Sequence, residues 1–253
     1  MTPTSPRTPS ALPESLARRA ATAAEEARFQ TAWARRPAND PRYGWSNAGH
    51  IFLVQERERA VLRALARHAY LPLAGKAVLE VGCGSGSWLR DFVRWGAQPE
   101  DLAGIDLLAD RVAETRRLCP PGVRVDNASA TELPFESATF DLVLQATVFS
   151  SVFDADVKRR IATEMLRVLR PGGAVLWYDL RVDNPRNPDV RGLNRREIGA
   201  LFAGCRIDLR RVTLAPPVAR WVAARSTAAA FVLAAIPLLR SHYFGVFRPG
   251  APV

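Results

Sequence analysis

Three glycines with two nearby carboxylates are the residues of this sequence best suited to do chemistry. Gly82, Gly84 and Gly86 directly follow an apolar stretch and open an amphipathic one, and Glu80 stands just before them. Only a backbone without a Cβ atom takes such a tight turn between a buried strand and a helix and lets a nucleotide-like ligand lie against it. Asp106 ends the next apolar stretch, where an acidic side chain can accept hydrogen bonds from both hydroxyls of a ribose. Singly, the glycines fit a turn without a ligand and Asp106 fits a helix N-cap, but their joint spacing predicts a binding site.

The elements that must position these residues are apolar strands alternating with amphipathic helices. This alternation begins after Leu73 and is typical of a parallel sheet wrapped by helices. A helix runs from the glycines to Trp95. The other predicted elements are strands at 77–81, 102–106, 123–125, 140–145, 174–180, 206–214 and 242–247, and helices at 13–35, 54–68, 109–118, 158–169, 195–202 and 217–239.

Two further motifs accompany VLEVGCGSGS, the glycine motif. LPFESATFDLV covers Leu133 to Val143, and EMLRVLRPGG covers Glu164 to Gly173. With these three motifs in this order, the stretch from Lys76 to Gly173 resembles the class I S-adenosylmethionine-dependent methyltransferases. The resemblance implies an α/β fold with a Rossmann-like, mostly parallel seven-stranded sheet and helices on both faces.

The composition, the predicted elements and the motifs together predict the domain organisation. Residues 1–12 are rich in Pro, Ser and Thr and are expected to be a disordered tail, not a signal peptide, because they lack an apolar core. Residues 13–72 are expected to form an N-terminal helical cap, and residues 73–253 the S-adenosylmethionine-binding methyltransferase domain. The cap and the domain form one globular unit, with a helical insertion between the last two strands.

The resemblance also implies roles for individual residues. Glu80 and the glycine turn, residues 82–86, hold the methionine part of S-adenosylmethionine, with Asp106 on the ribose and Leu107 on the adenine. Gln145, at the end of the fourth strand, lies beside the expected methyl group. Where the family often has Gly-Asp-Ala, this chain has Ala-Ser-Ala, so Ser129 is a weak substitute for an acid that contacts the adenine amino group. The predicted cofactor-binding residues are Glu80, Gly82, Cys83, Gly84, Gly86, Asp106, Leu107, Ser129, Ala130 and Gln145.

Three segments are candidates to hold a methyl acceptor over the carboxyl ends of the strands, where open α/β sheets bind ligands. The segment 42–52, RYGWSNAGHIF, either closes its aromatic side chains over the cofactor or forms a hydrophobic staple between helices. The segment 177–197 carries polar side chains after the fifth strand. The predicted substrate-binding residues are Tyr43, Trp45, Arg181 and Phe231, and the predicted bases for a hydroxyl acceptor are His50, Tyr178 and Asp179.

The third segment, 227–240, is TAAAFVLAAIPLLR, and its apolar core is shorter than the roughly 20 residues that span a bilayer. We expect it to be a lid helix over the substrate. A peripheral surface for a membrane or a lipid-linked substrate, and a dimer contact, are the two alternatives. The oligomeric state is therefore open between a monomer and a homodimer.

Charge and cysteine content limit the kinds of binding partner and the compartment that the sequence predicts. The net charge of +10 comes almost entirely from arginines scattered over the chain, because Lys76 and Lys158 are the only lysines. Such scatter favours a compositional bias over a nucleic-acid surface, so no nucleic-acid partner is predicted. Cys83, Cys119 and Cys205 have neither CxxC nor Cys/His ligand spacing, which argues against disulfides and against a metal site and favours the cytoplasm. Cys83 is interpreted as a small filler of the turn, since no general base is near it in sequence.

The predicted function is methyl transfer from S-adenosylmethionine to oxygen or nitrogen of a small molecule or a sugar-containing biosynthetic intermediate. The protein would supply positioning and exclusion of water. A nicotinamide-dependent oxidoreductase shares the glycine-rich turn and the ribose-binding acid, but this chain has Ser87 where that family has Gly or Ala. A non-catalytic scaffold that keeps the cofactor fold is the second alternative.

Overall fold

The centre of the fold is a seven-stranded sheet. The computed structural model describes residues 14–35 and 40–250, so the predicted tail at 1–12 lies outside it. The strand order is β3-β2-β1-β4-β5-β7-β6. The strands from β3 to β5 pair in parallel, and β7 is antiparallel to β5 and to β6. The strands are β1 (Val78–Val81), β2 (Leu102–Asp106), β3 (Arg124–Asn127), β4 (Phe140–Ala146), β5 (Leu169–Leu180), β6 (Cys205–Leu214) and β7 (Arg240–Pro249). The predicted fold class is confirmed.

Helices cover both faces of the sheet, which is why β1 and β2 are buried along their whole length and are apolar except for Glu80 and Asp106. One face packs on α2 and α3 through residues such as Leu65 and Phe92. The other face packs on α5 and α6 through Ile161 and Ile198. The helices are α1 (Glu14–Ala34), α2 (Ala48–Arg67), α3 (Ser87–Arg94), α4 (Ala109–Leu118), α5 (Ala155–Arg167), α6 (Arg195–Leu201), α7 (Pro216–Ala223) and α8 (Thr227–Ala234).

The insertion between β6 and β7 is two short helices, and the single helix predicted at 217–239 is wrong. Helix α7 ends at Ala223, and Ser226 then adopts an extended backbone whose side chain accepts a hydrogen bond from the Ala229 N–H. This N-cap starts a new helix, α8, because a serine that satisfies a free N–H favours a helix start over a helix interior. A 3₁₀ turn, Pro237–Leu239, follows before β7.

Two other boundaries differ from the prediction. Helix α2 begins at Ala48 and not near Val54, because the Asn47 side chain caps it by accepting from the His50 N–H. Strand β5 begins at Leu169 and not at Ala174, so it includes the Arg-Pro-Gly-Gly sequence. The pairing of β4 with β5 shifts register between Phe140 and Leu142, and this irregularity accommodates the glycines within the strand.

Candidate functional site

The predicted cofactor residues meet at one edge of the sheet. Strands β1, β2, β4 and β5 run parallel, so their carboxyl ends share this edge, and the glycine turn follows β1 there. All three glycines of the turn have positive φ, +72° at Gly82, +54° at Gly84 and +72° at Gly86. L-residues with a side chain rarely take this conformation. The sequence VGCGSGS can therefore fold into a turn that would strain the backbone of a sequence without these glycines.

Space differs sharply among the three glycines. A Cβ added at Gly82 would lie 2.6 Å from Val148 Cγ2, and one added at Gly86 would lie 2.6 Å from Thr115 Cγ2. These two glycines allow close packing within the protein. A Cβ at Gly84 would meet no atom within 4 Å. The backbone at Gly84 therefore faces open space at the carboxyl edge, where a ligand can approach it.

Asp106 holds the glycine turn from the end of β2. One carboxylate oxygen accepts from the Gly84 N–H at 2.8 Å and the other from the Leu108 N–H at 2.9 Å. Burial raises the pKa of Asp106, and these two backbone hydrogen bonds oppose that rise. Each oxygen of an ionised carboxylate has a second lone pair, so Asp106 can hold the turn and still accept from two further donors.

At this edge, each of two buried side chains has one polar atom without a hydrogen-bond partner among the described residues. Glu80 is 1% exposed and its Oε2 has no partner. Gln145 is 0% exposed; its Oε1 accepts from the Val148 N–H at 3.1 Å, and its Nε2 has no partner. Buried polar atoms in native proteins are almost always hydrogen-bonded, so unpaired ones next to an open glycine turn fit a bound polar molecule.

Arg57 of α2 supplies the positive charge next to Glu80, which sequence reasoning missed. Burial raises the pKa of Glu80 well above its usual range, and the charge of Arg57 opposes this. The Arg57 guanidinium lies 4.2 Å from the centre of the Trp88 ring and donates to Asp91 at 3.0 Å. Its Nε is buried without a hydrogen-bond partner within the described chain. Nothing in the sequence near Arg57 indicated this, because α2 reaches the turn only through tertiary packing.

Two of the three predicted bases, Tyr178 and Asp179, lie inside the protein. The Tyr178 hydroxyl is 2.9 Å from Thr213 Oγ1, its ring stacks on His242 with centroids 4.8 Å apart, and burial raises the pKa of Tyr178 to about 12. Asp179 accepts from the Ser150 N–H at 3.1 Å and from the Leu180 N–H at 2.8 Å, so it anchors the loop after β4. Burial raises the pKa of Asp179 to about 6. Their catalytic role stays a prediction.

The remaining predicted base and the predicted substrate-binding residues lie around the carboxyl edge of the sheet. His50 is half-buried between Tyr43 and Trp45, at ring distances of 6.0 and 5.4 Å, and burial lowers its pKa. Tyr43 and Trp45 are exposed, and the Arg181 side chain donates to the Arg240 carbonyl at 2.9 Å. Phe231 of α8 packs on Phe52 of α2.

The other predicted cofactor residues differ in burial. Leu107, Ser129 and Ala130 are half-buried. Cys83 is buried, and burial raises the pKa of its thiol, so the thiol stays protonated under the turn.

Helix α1 lies against the loops after β3 and β4. Glu26 accepts from the Ser129 hydroxyl at 2.5 Å, Glu25 accepts from the Phe153 N–H at 2.5 Å, and Arg28 donates to the Ser151 carbonyl. An acid from α1 thus stands beside Ser129, the position where the family often has its own acid. Sequence reasoning missed Glu26 because it is distant in the chain and is surrounded by other charged helix residues.

Two buried groups, His242 and Asp179, give opposite pH dependence of stability. Burial lowers the pKa of His242 to about 4, so as pH falls from about 6.5 to 4 the unfolded chain binds a proton that the folded chain does not. This costs about 3 kcal/mol of stability on acidification, at roughly 1.4 kcal/mol per pKa unit. The raised pKa of Asp179 acts in the other direction between about pH 6 and 4, where the folded chain holds the extra proton.

We therefore expect His242→Gln to lose less stability than the unsubstituted protein between pH 6.5 and 4, by about 3 kcal/mol. Urea unfolding at several pH values measures the slope. The variant also loses the stacking on Tyr178, which lowers stability at every pH and leaves the slope as the informative quantity. Asp179→Asn is the matched control and should change the slope in the opposite sense. Parallel pH curves for His242→Gln and the unsubstituted protein would contradict the prediction.

Comparison with known proteins shows similarity to methyltransferases. Residues 78–173 match a family model described as methyltransferase domain. Phthiotriol/phenolphthiotriol dimycocerosates methyltransferase 1 of Mycobacterium ulcerans is 36% identical over 140 residues, 52% of this chain and 50% of that protein. Fatty-acid O-methyltransferase of Mycolicibacterium smegmatis is 37% identical over 114 residues, 45% of this chain and 40% of that protein. A solved S-adenosylmethionine-dependent methyltransferase of Mesorhizobium loti, 21% identical, has a TM-score of 0.54 over 77% of this chain and 98% of that one.

The mostly parallel sheet with its glycine turn at the carboxyl edge defines an α/β protein with the Rossmann-like methyltransferase fold. The family match covers this turn and extends to Gly173, through all three motifs. Residues 78–173 therefore carry a methyltransferase domain, in agreement with the resemblance to the class I S-adenosylmethionine-dependent methyltransferases that the motifs indicated. It spans about half the length of the curated relatives it matches. In the part of the chain that the structure describes, no helix is both long enough and apolar enough to cross a membrane.

Proposed function

We propose that this protein binds S-adenosylmethionine at the glycine turn and transfers its methyl group to a small molecule with a long apolar part. The observation that carries the proposal is the open backbone at Gly84, at the same edge as the buried Glu80 carboxylate, whose Oε2 has no partner among the described residues. The bound cofactor supplies an electrophilic methyl group. Glu80 and Arg57 would hold its amino acid part, Asp106 its ribose, and the Gln145 side chain would lie beside the transferred group.

The acceptor atom we propose is a carboxylate oxygen. A hydroxyl acceptor needs a base, but Tyr178 and Asp179 are buried with partners of their own, and His50 is packed between two rings. A carboxylate is ionised at neutral pH and attacks without losing a proton. One relative is named a fatty-acid O-methyltransferase, and this name supports an apolar acid as the acceptor. The protein's contribution is then orientation and exclusion of water.

The test combines binding with transfer. Calorimetry with S-adenosylmethionine and with NADH separates this proposal from a nicotinamide-dependent oxidoreductase. Transfer of a labelled methyl group is then measured with a long-chain fatty acid, the matched alcohol, the matched amine and a glycolipid. We expect methylation of the acid alone. Binding of the cofactor with no transfer to any of the four would contradict the proposed acceptor class and favour the scaffold alternative.

Glu26 offers a sharper test of the adenine end of the site. We expect Glu26→Gln to weaken binding of S-adenosylhomocysteine about fivefold to tenfold, because a carboxylate that accepts from the adenine amino group is lost. S-inosylhomocysteine lacks that amino group, so its binding should be insensitive to the substitution. Glu132→Gln is the matched control, since Glu132 is exposed three residues from Ser129. Equal losses for both ligands would mean that Glu26 acts only through the position of α1.

A further inference from the structure

The insertion exposes apolar surface that nothing in the described chain covers. Helix α8 consists of small and apolar residues and buries only one side, through Ala230 and Ala234. Its other side and the 3₁₀ turn after it are open to solvent: Val232 is 67% exposed and Leu238 is 78% exposed. We call this the insert surface, formed by Phe231, Val232, Ile236 and Leu238. A cluster of large exposed apolar side chains is unusual on a soluble protein and marks an interaction site.

The insert surface is held rigidly. The Phe231 ring packs against the Phe52 ring of α2 with centroids 5.1 Å apart. Gly49, in the first turn of α2, lies so close to α7 that a Cβ there would be 2.4 Å from the Arg220 Cα. The inner side of α8 is therefore occupied by α2 and α7, and its outer side is fixed as a surface of the molecule. This placement does not favour the predicted lid, which needs the apolar side to face the substrate.

Aromatic side chains border this surface. Trp221 of α7 is 63% exposed, and Tyr43 and Trp45 are exposed on the turn before α2. Arg220 connects these two groups, since its guanidinium lies 5.9 Å from the centre of the Tyr43 ring and Trp221 is its neighbour in the chain. Tryptophan and tyrosine concentrate at membrane–water interfaces, where the ring is apolar and one end is hydrated.

Arginines outnumber acids around the surface: Glu56, near Arg59 and Arg240, accepts a hydrogen bond from the Leu214 N–H, and Asp40, near Arg220, is paired with Arg42. After Asp208 the sequence has six arginines and no Asp or Glu. Arg225 lies 4.5 Å from the centre of the Trp221 ring, and Arg59 lies 4.9 Å from the centre of the Phe231 ring. Apolar and aromatic side chains flanked by arginines are the composition of helices that lie in the interface of an anionic membrane. A two-fold dimer would bring this same surface against itself and would place these arginines opposite one another.

From these observations we infer that the insert surface docks on the surface of a bilayer that contains anionic lipids. The inference rests on the proposed function in one respect, because docking there would give the carboxyl edge access to an apolar acid held in the bilayer. Helix α8 and its 3₁₀ turn would lie in the interface plane, with Trp221 at headgroup level and Arg225 at the phosphates.

The experiment is sedimentation with vesicles of phosphatidylcholine alone and of phosphatidylcholine with about 30% phosphatidylglycerol. We expect at least tenfold tighter binding to the anionic vesicles, weakened by salt. The variant Val232→Ser/Leu238→Ser should bind them at least tenfold more weakly. Leu16→Ser/Leu118→Ser is the matched control, because both leucines are exposed outside the insert surface. Calorimetry with S-adenosylmethionine should give one dissociation constant for all three proteins.

Three results would overturn the inference. These are no vesicle binding by the unsubstituted protein, equal binding by both double variants, and a dimer in sedimentation velocity that Val232→Ser/Leu238→Ser dissociates. Failure of the proposed function would be distinct, since it would appear as absent cofactor binding or absent methyl transfer while vesicle binding persists.

Discussion

Gly84→Val should abolish detectable binding of S-adenosylmethionine. The added side chain would project into the open space beside the turn, where an added Cβ meets no protein atom, and would occupy the volume that the ligand needs. We expect affinity to fall by a factor of at least 100, because a rigid turn cannot move aside to restore the contact surface. Isothermal calorimetry measures the loss.

The same substitution also strains the backbone, since Gly84 has a φ of +54°. Gly75→Val is the matched control, because Gly75 has a φ of +72°, equally open surroundings and a place before β1, at the opposite edge of the sheet. Both variants should lose similar stability in thermal unfolding, of about 1 to 2 kcal/mol. Only Gly84→Val should lose the cofactor. Undiminished cofactor binding by a folded Gly84→Val protein would show that the turn is not the cradle.

Asp106→Ala should weaken cofactor binding by about 1.5 to 3 kcal/mol, roughly 10-fold to 150-fold, the contribution of hydrogen bonds to a charged group. The direct loss is the carboxylate that accepts from the ribose hydroxyls. A second loss arises within the protein, because the N–H groups of Gly84 and Leu108 lose their acceptor and the turn becomes less ordered. Calorimetry with S-adenosylhomocysteine and its 2′-deoxy analogue separates the two effects.

For Asp106→Ala we expect the affinity difference between these two ligands to disappear, since the hydroxyl that distinguishes them no longer has its acceptor. Asp106→Asn is the control, because its amide oxygen can still accept one backbone N–H while its charge is lost. It should bind more tightly than Asp106→Ala and more weakly than the unsubstituted protein. A folded Asp106→Ala protein with an unchanged dissociation constant would remove Asp106 from the cofactor site.

The chain sequence determined the central architecture and the cofactor turn. Apolar strands buried on both faces and amphipathic helices differ in local periodicity, and β1, β2 and α4 were placed within a residue of their observed bounds. Local chemistry likewise predicts the turn, because three glycines at this spacing permit positive φ in succession. Asp106 was found because the end of one strand and the start of the next helix are set by nearby residues.

Tertiary structure decided which charges and surfaces surround the turn. Arg57 and Glu26 reach the site from helices far away in sequence, and a charged residue on a helix looks the same in sequence whether it faces solvent or a buried carboxylate. The polar residues at the end of β5 looked available from sequence, but Asp179 is committed to backbone N–H groups of a neighbouring loop. The insertion was the hardest case: its all-apolar composition has no periodicity that marks an inner and an outer side. Only packing on Phe52 of α2 and on α7 determined which side of α8 is buried and which is left exposed.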